Sequence, residues 1–288
     1  MSSTTTSVST SVSLPGLRPG FDFRAFVTRL GTGLILVPAI LIFLLHGFLL
    51  KLVIRDSQRR RERLVQNVAR YSSFALKCLR VEVQTSGFQI QNENALLVCN
   101  HMSYLDLLVI ASVRPAVFVT SIDMGEVFFL GTMAEIGGSL FIERRHRERV
   151  GYDVEQMAKV LRSGQDVILF PEGTSSDGAS VLPFRKSLLM AAPLARKKLL
   201  PMTLKYVEID GQPFGPENHQ SVCWYGKMSF LPHFSQLLGH RKIRASLQFH
   251  LAISPREGDD KDVLAKWCYR LIAGSYSKQD PNERSVLI

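Results

Sequence analysis

The chain is poor in cysteine and lacks the motifs that most hydrolases and metalloenzymes advertise. Its 288 residues hold four cysteines, Cys78, Cys99, Cys223 and Cys268, with no Cys-x-x-Cys among them. Scattered thiols of this kind read as ordinary buried side chains in a reduced compartment, so disulfides are not expected. Cys99 and His101 stand close together, but no second ligand pair follows at a usable spacing, and no metal is expected. A Gly-x-Ser-x-Gly elbow, a His-Glu-x-x-His helix, a phosphate loop and a dinucleotide fingerprint are all missing. No zinc finger, basic-region heptad or aromatic RNA-binding signature occurs either, so nucleic acid is not an expected partner. There is no internal repeat, and no acidic residue precedes Asp22.

What is present is positive charge beside a long apolar run. The formal net charge is +10, and residues 1–88 hold twelve Arg and Lys against four Asp and Glu. Such a balance next to an apolar segment points to the anionic leaflet of a membrane. Residues 1–24 form a Ser/Thr-rich tail with Pro15, Gly16, Pro19 and Gly20, expected to be disordered; its lack of acids before Asp22 resembles an organelle transit peptide. Within a helical region over 25–79, Leu34–Ile54 is almost wholly apolar, interrupted by Pro38, His46, Gly47 and Lys51. A bilayer span needs about 20 residues, so the run is long enough. A hairpin bent at Pro38 and Gly47 and a buried core helix are the alternatives. Basic residues weigh towards the C-terminal side of the run, at Lys51, Arg55, Arg59, Arg60, Arg61 and Arg63. The positive-inside bias therefore puts the remainder of the chain on the cytoplasmic face, with a bacterial inner membrane the first expectation and an organelle membrane the second.

Residues 80–288 alternate between the two periodicities. Strands are expected at 80–85, 95–99, 116–121, 139–142, 166–170, 201–208 and 244–252. Helices are expected at 55–79, 103–113, 124–136, 146–163, 185–197 and 259–276. This rhythm predicts an α/β fold: a mixed, mostly parallel sheet flanked by helices, preceded by the membrane-associated segment. In such folds sites gather beyond the carboxyl ends of strands.

Two motifs fall at those ends. Asn100-His101-Met102-Ser103-Tyr104-Leu105-Asp106 follows the strand Ala95–Cys99, and Phe170-Pro171-Glu172-Gly173-Thr174 follows the strand over 166–170. An imidazole takes a proton near neutral pH, and a carboxylate beside it fixes the tautomer and stabilises the charged form. His101 and Asp106 thus make half of a catalytic triad whose attacking hydroxyl must come from the substrate. Ser103-x-x-Asp106 also reads as a capping box, and the two roles are compatible. The remaining histidines, His219, His233, His240 and His250, show no spacing that assigns them a role. Trp224-Tyr225-Gly226-Lys227-Met228 reads as a loop at the edge of the core.

The His101–Asp106 block resembles the first signature of the glycerophospholipid acyltransferases, typified by 1-acylglycerol-3-phosphate O-acyltransferase. Gly138-Ser139-Leu140-Phe141-Ile142-Glu143-Arg144 resembles the second, Phe170–Thr174 the third and Leu200-Pro201-Met202 the fourth, in the right order over roughly residues 75–250. The resemblance implies acyl transfer from acyl-CoA or acyl-carrier protein to a lysolipid hydroxyl, with no bound cofactor. His101 and Asp106 would be catalytic. Arg144, Glu172, Gly173 and Thr174 would bind substrate, with Asn100, Ser175 and Lys186 as further candidates.

One position departs from the family. Ser175 stands where members acting on phosphate-bearing acceptors usually carry arginine, and Arg185 or Lys186 would have to restore that charge. The run Val181–Ser187 is also similar to acyltransferases that complete ornithine lipids. Lysophosphatidate is the first expected acceptor and lyso-ornithine lipid the second. A membrane-bound hydrolase and a catalytically inert membrane-binding homologue are the rival readings.

Overall fold

The computed structural model describes residues 23–88, 93–125, 128–143, 147–256 and 258–277. Residues 1–22 of the tail expected over 1–24 lie outside them, whereas Phe23 and Arg24 open the first helix. Helix α1 (Phe23–Val53) contains Pro38 but runs on through it and through Gly47. The hairpin alternative is therefore not formed. At 1.5 Å per residue, 31 residues reach about 46 Å, more than a hydrocarbon core of about 30 Å. Only 17% of its most apolar window is buried, so α1 is not a core helix. Leu34, Leu41, Leu45 and Leu52 all point outward, while Leu36 and Phe43 dock against the rest of the chain. Helix α2 (Ser57–Cys78) begins where the Asp56 carboxylate accepts the Arg59 amide.

The α/β part follows: β1 (Val81–Gly87), β2 (Ala95–Cys99), α3 (Leu105–Val113), β3 (Val117–Ser121), α4 (Ile122–Gly125), α5 (Phe128–Ile136), β4 (Leu140–Ile142), α6 (Val150–Arg162), β5 (Val167–Leu169), α7 (Ala191–Ala195), β6 (Lys198–Ile209), β7 (Gln212–Pro213), α8 (Phe230–Leu237), β8 (Ile243–Phe249) and α9 (Lys261–Tyr276). The sheet order is β1-β8-β6-β2-β5-β3-β4, with β7 paired to β6. Strands β6, β2, β5, β3 and β4 run parallel; β8 is antiparallel to β6, and β1 is parallel to β8. The expected mixed, mostly parallel sheet is what forms.

Strand β2 sits in the middle and is buried on both faces, as a covered parallel strand must be. Ala95, Leu97 and Cys99 face a core closed by α1, α3 and α8. Leu96 and Val98 face a second core closed by α6, α7 and α9. Pro201 occupies a central strand, where its missing N–H would normally break the ladder. Opposite it the chain bulges: Met202 pairs with Phe249 and Leu199 with Ile253, so that stretch gains a residue, and His250 N still donates to Pro201 O.

Several expected elements differ. Strand β6 begins three residues earlier, because Lys198–Leu200 extend the ladder along β2. The helix expected over 185–197 is a 3-10 turn followed by the five residues of α7, ended by Arg196 in the left-handed region. Helix α8 was not foreseen. It buries only His233 and Leu237, too weak a pattern to read, and Pro232 fits in its first turn.

Candidate active site

At the end of β2, Asn100 extends the ladder with its side chain. Its Oδ1 accepts from Leu204 N at 2.8 Å and its Nδ2 donates to Leu204 O at 2.9 Å. This buried amide is spent on backbone, which locks the start of the histidine loop to β6. Three further contacts fix His101. Its N–H donates to Glu172 Oε1 at 2.7 Å, its carbonyl accepts from Ser176 N at 2.9 Å, and its ring stacks on Phe170 with centroids 4.1 Å apart.

Asp106 is the hub. Its Oδ2 meets His101 Nδ1 at 2.8 Å and accepts the amides of Met102 at 2.6 Å and Ser103 at 2.9 Å. Its Oδ1 accepts the Tyr206 hydroxyl at 2.6 Å. The carboxylate is fully buried, while 20% of the His101 side chain is exposed. The bond to Ser103 N is the acidic half of a capping box, so the side chain that folds back at the start of α3 also orients the imidazole. A carboxylate against Nδ1 keeps the proton there and leaves Nε2 as an acceptor. Among the described residues, no serine, threonine or cysteine side chain is hydrogen-bonded to Nε2. Cys99 and Cys223 lie nearby but are wholly buried, and burial pushes both thiols up, away from the nucleophilic thiolate. Among the described residues no cluster of three His, Cys, Asp or Glu is arranged for a metal.

The third block forms a brace behind the histidine. Glu172 is buried, with Oε1 on His101 N and Oε2 on Leu182 N at 2.8 Å. Burial pushes its carboxyl up to about 7; the two amides oppose the shift and the Asp106 charge reinforces it. Both oxygens are thus on backbone amides, a geometry that orders the histidine loop. Gly173 has φ +74°, and a Cβ there would stand 2.7 Å from Arg185 Nε. Glycine lets that guanidinium lie across the turn. Arg185 is exposed, and its N–H donates to Pro171 O at 2.7 Å. Lys186 instead pairs with Asp262 in the first turn of α9. Thr174 is exposed at the rim, its hydroxyl 3.5 Å from Ser175 O. Ser175 donates to Trp224 O, and Trp224 N donates to Met102 O. Arg144, the expected head-group ligand, lies outside the described residues.

Two participants had no signal in the sequence. Tyr206 is a hundred residues from Asp106. Trp224, read only as a loop at the core edge, braces both motifs, and its ring meets that of Tyr104 edge to face at 5.9 Å.

The family model described as Acyltransferase matches residues 80–205. The chain is 30% identical over 195 residues to the 1-acyl-sn-glycerol-3-phosphate acyltransferase of Neisseria gonorrhoeae, covering 66% of this chain and 72% of that one. The chain belongs to the acyltransferase family. It is also 31% identical over 193 residues to the lyso-ornithine lipid O-acyltransferase of Rhizobium meliloti, covering 64% of this acyltransferase and 66% of that relative, just under two thirds. A crystal structure of the 1-acyl-sn-glycerophosphate acyltransferase PlsC of Thermotoga maritima shares the fold. Its TM-score is 0.62 at 18% identity, with 89% of this chain and 98% of that chain covered.

Proposed function

We propose that this protein transfers a fatty acyl group from an acyl thioester to the free hydroxyl of a lysolipid, with lyso-ornithine lipid as the acceptor. The observation that carries the reaction is the buried Asp106 carboxylate 2.8 Å from His101 Nδ1, beside a partly exposed ring whose Nε2 carries no serine, threonine or cysteine side chain among the described residues. In the reading, Nε2 takes the proton of the lipid hydroxyl as its oxygen attacks the thioester carbonyl. Asp106 stabilises the imidazolium that forms. The tetrahedral intermediate collapses, the C–S bond breaks, and the imidazolium returns the proton to the departing thiolate. Acyl-CoA and acyl-carrier protein both supply such a thioester.

The charges at the Gly173 turn support this acceptor. Ser175 is neutral and occupied by Trp224 O, so this position offers no cation to a phosphate. The Arg185 guanidinium lies against Gly173 and can complement the single carboxylate of an ornithine head group. The Rhizobium meliloti relative, named for that acceptor, supports the choice. Lysophosphatidate is the second reading, favoured by the Neisseria gonorrhoeae relative and by the exposed Arg185 guanidinium. Assays with both acceptors and one labelled acyl donor separate them: faster turnover of lysophosphatidate overturns the first choice. Release of free fatty acid without diacyl product would instead mark a hydrolase.

The proposal also puts α1 in the bilayer and the α/β part on the cytoplasmic face of a bacterial inner membrane. The outward leucines of α1 and the arginines that open α2 support it. His101→Ala is expected to abolish transfer and leave vesicle binding intact. Unchanged turnover would sink the mechanism, and lost binding would mean that the histidine loop serves the membrane contact.

A further inference from the structure

The histidine loop is not all that holds Asp106. Oδ2 receives three hydrogen bonds, from His101 Nδ1, Met102 N and Ser103 N, whereas Oδ1 receives the Tyr206 hydroxyl at 2.6 Å. Both side chains are buried, at 0% exposure for Asp106 and 3% for Tyr206. Burial, and then the Asp106 charge, push the Tyr206 phenol well above its ordinary value, so it remains a donor throughout.

The strand that delivers Tyr206 is irregular at this point. Leu200, Met202, Leu204 and Tyr206 face the α3 side of the sheet at a spacing of two, and the next residue on that side is Ile209. The register confirms the break: Tyr206 pairs with Ala245 and Glu208 with Arg244, leaving Val207 as an extra residue. Bulges commonly re-aim a side chain beside a site. Here the bulge closes the run on Tyr206, whose ring packs on Phe214 with centroids 6.0 Å apart.

We infer that Tyr206 is a positioning residue for the transfer reaction, holding Oδ1 so that Oδ2 alone faces the imidazole. Without it, Oδ1 is a buried acceptor with no described donor, and the carboxylate gains freedom to turn. A donor on Oδ1 also makes the carboxylate less basic. Nδ1 then keeps its proton while Nε2 carries the one taken from the lipid hydroxyl. The inference rests on the acyl-transfer reading.

Tyr206→Phe in the full chain tests it. Loss of one hydrogen bond to a charged group is expected to lower kcat about ten- to a hundredfold, with KM for donor and acceptor unchanged within about twofold. Phe214→Leu is the packing control: it should lower the melting temperature and leave kcat near wild type. In an Asp106→Asn background, adding Tyr206→Phe should cost less than about twofold, because the carboxylate it serves is gone. Wild-type kcat in Tyr206→Phe, an equal kcat loss in Phe214→Leu, or a full further loss in Asp106→Asn would each overturn the inference. If Tyr206→Phe alone does not fold, the double variant leaves no buried charge short of a donor. Its comparison with Asp106→Asn then decides. Failure of the acyl-transfer reading shows separately, as wild-type protein that releases free fatty acid and forms no diacyl product.

Discussion

At Glu172, structure and chemistry pull in opposite directions. The carboxyl must be buried to tie His101 N to Leu182 N, yet burial disfavours its charge and moves it up to about 7. An acid whose folded value lies above its unfolded value stabilises the protein fully below the unfolded value, near 4.5. That contribution is lost as pH rises through about 7. The gap corresponds to about 3 kcal/mol as an order of magnitude. Wild-type stability is therefore expected to fall between about pH 5 and 8 more steeply than that of Glu172→Gln, which cannot ionise. Thermal melts at the two pH values check this; parallel slopes would remove Glu172 as the titrating group. Phe170 acts at the same scale. Phe170→Leu should lower kcat by about tenfold without changing the acceptor KM, because the imidazole loses its stacking face and with it a fixed orientation.

Among the elements, α1 depends on one small residue. A Cβ on Gly47 would lie 2.3 Å from Ile136 Cγ2 and 3.3 Å from Ile136 O, so α1 crosses α5 only at glycine. Gly31, by contrast, has nothing within 4 Å. Gly47→Leu should loosen α1 and destabilise the protein by about 1–3 kcal/mol, whereas Gly31→Leu should be nearly neutral. Limited proteolysis of the α1–α2 connection, with thermal melts, compares the pair; equal behaviour would refute the contact. The same half of the molecule shows what the sequence conceals. The apolar run made a long helix legible, but whether Pro38 and Gly47 bent it depended on neighbours. The helix continues through both, with Leu36 and Phe43 docked on one side.

For the whole molecule, the apolar face of α1 and the basic start of α2 make one prediction. Leu34→Glu, Leu41→Glu and Leu45→Glu together replace exposed side chains that touch no core. The triple variant should lose flotation with vesicles containing anionic lipid and keep the circular dichroism and melting temperature of the α/β part. Undiminished flotation would take α1 out of the bilayer and leave the arginines alone to explain attachment.

The sequence by itself determined most of the alternation of strands and helices, though not α8, together with the apolar helix and the pairing of His101 with Asp106. These are local matters: periodicity marks an element, and five residues at a helix start fold back on themselves. It also carried the family, because the signature blocks are contiguous. Tertiary structure decided what lies far apart along the chain. It brought Tyr206 across from β6 to Asp106, closed Glu172 onto two backbone amides, laid Arg185 over Gly173 and turned Lys186 away to Asp262. It accommodated Pro201 in a central strand by bulging the chain opposite. Such contacts depend on sheet register, and register is set by packing across the whole core, which no local window of sequence contains.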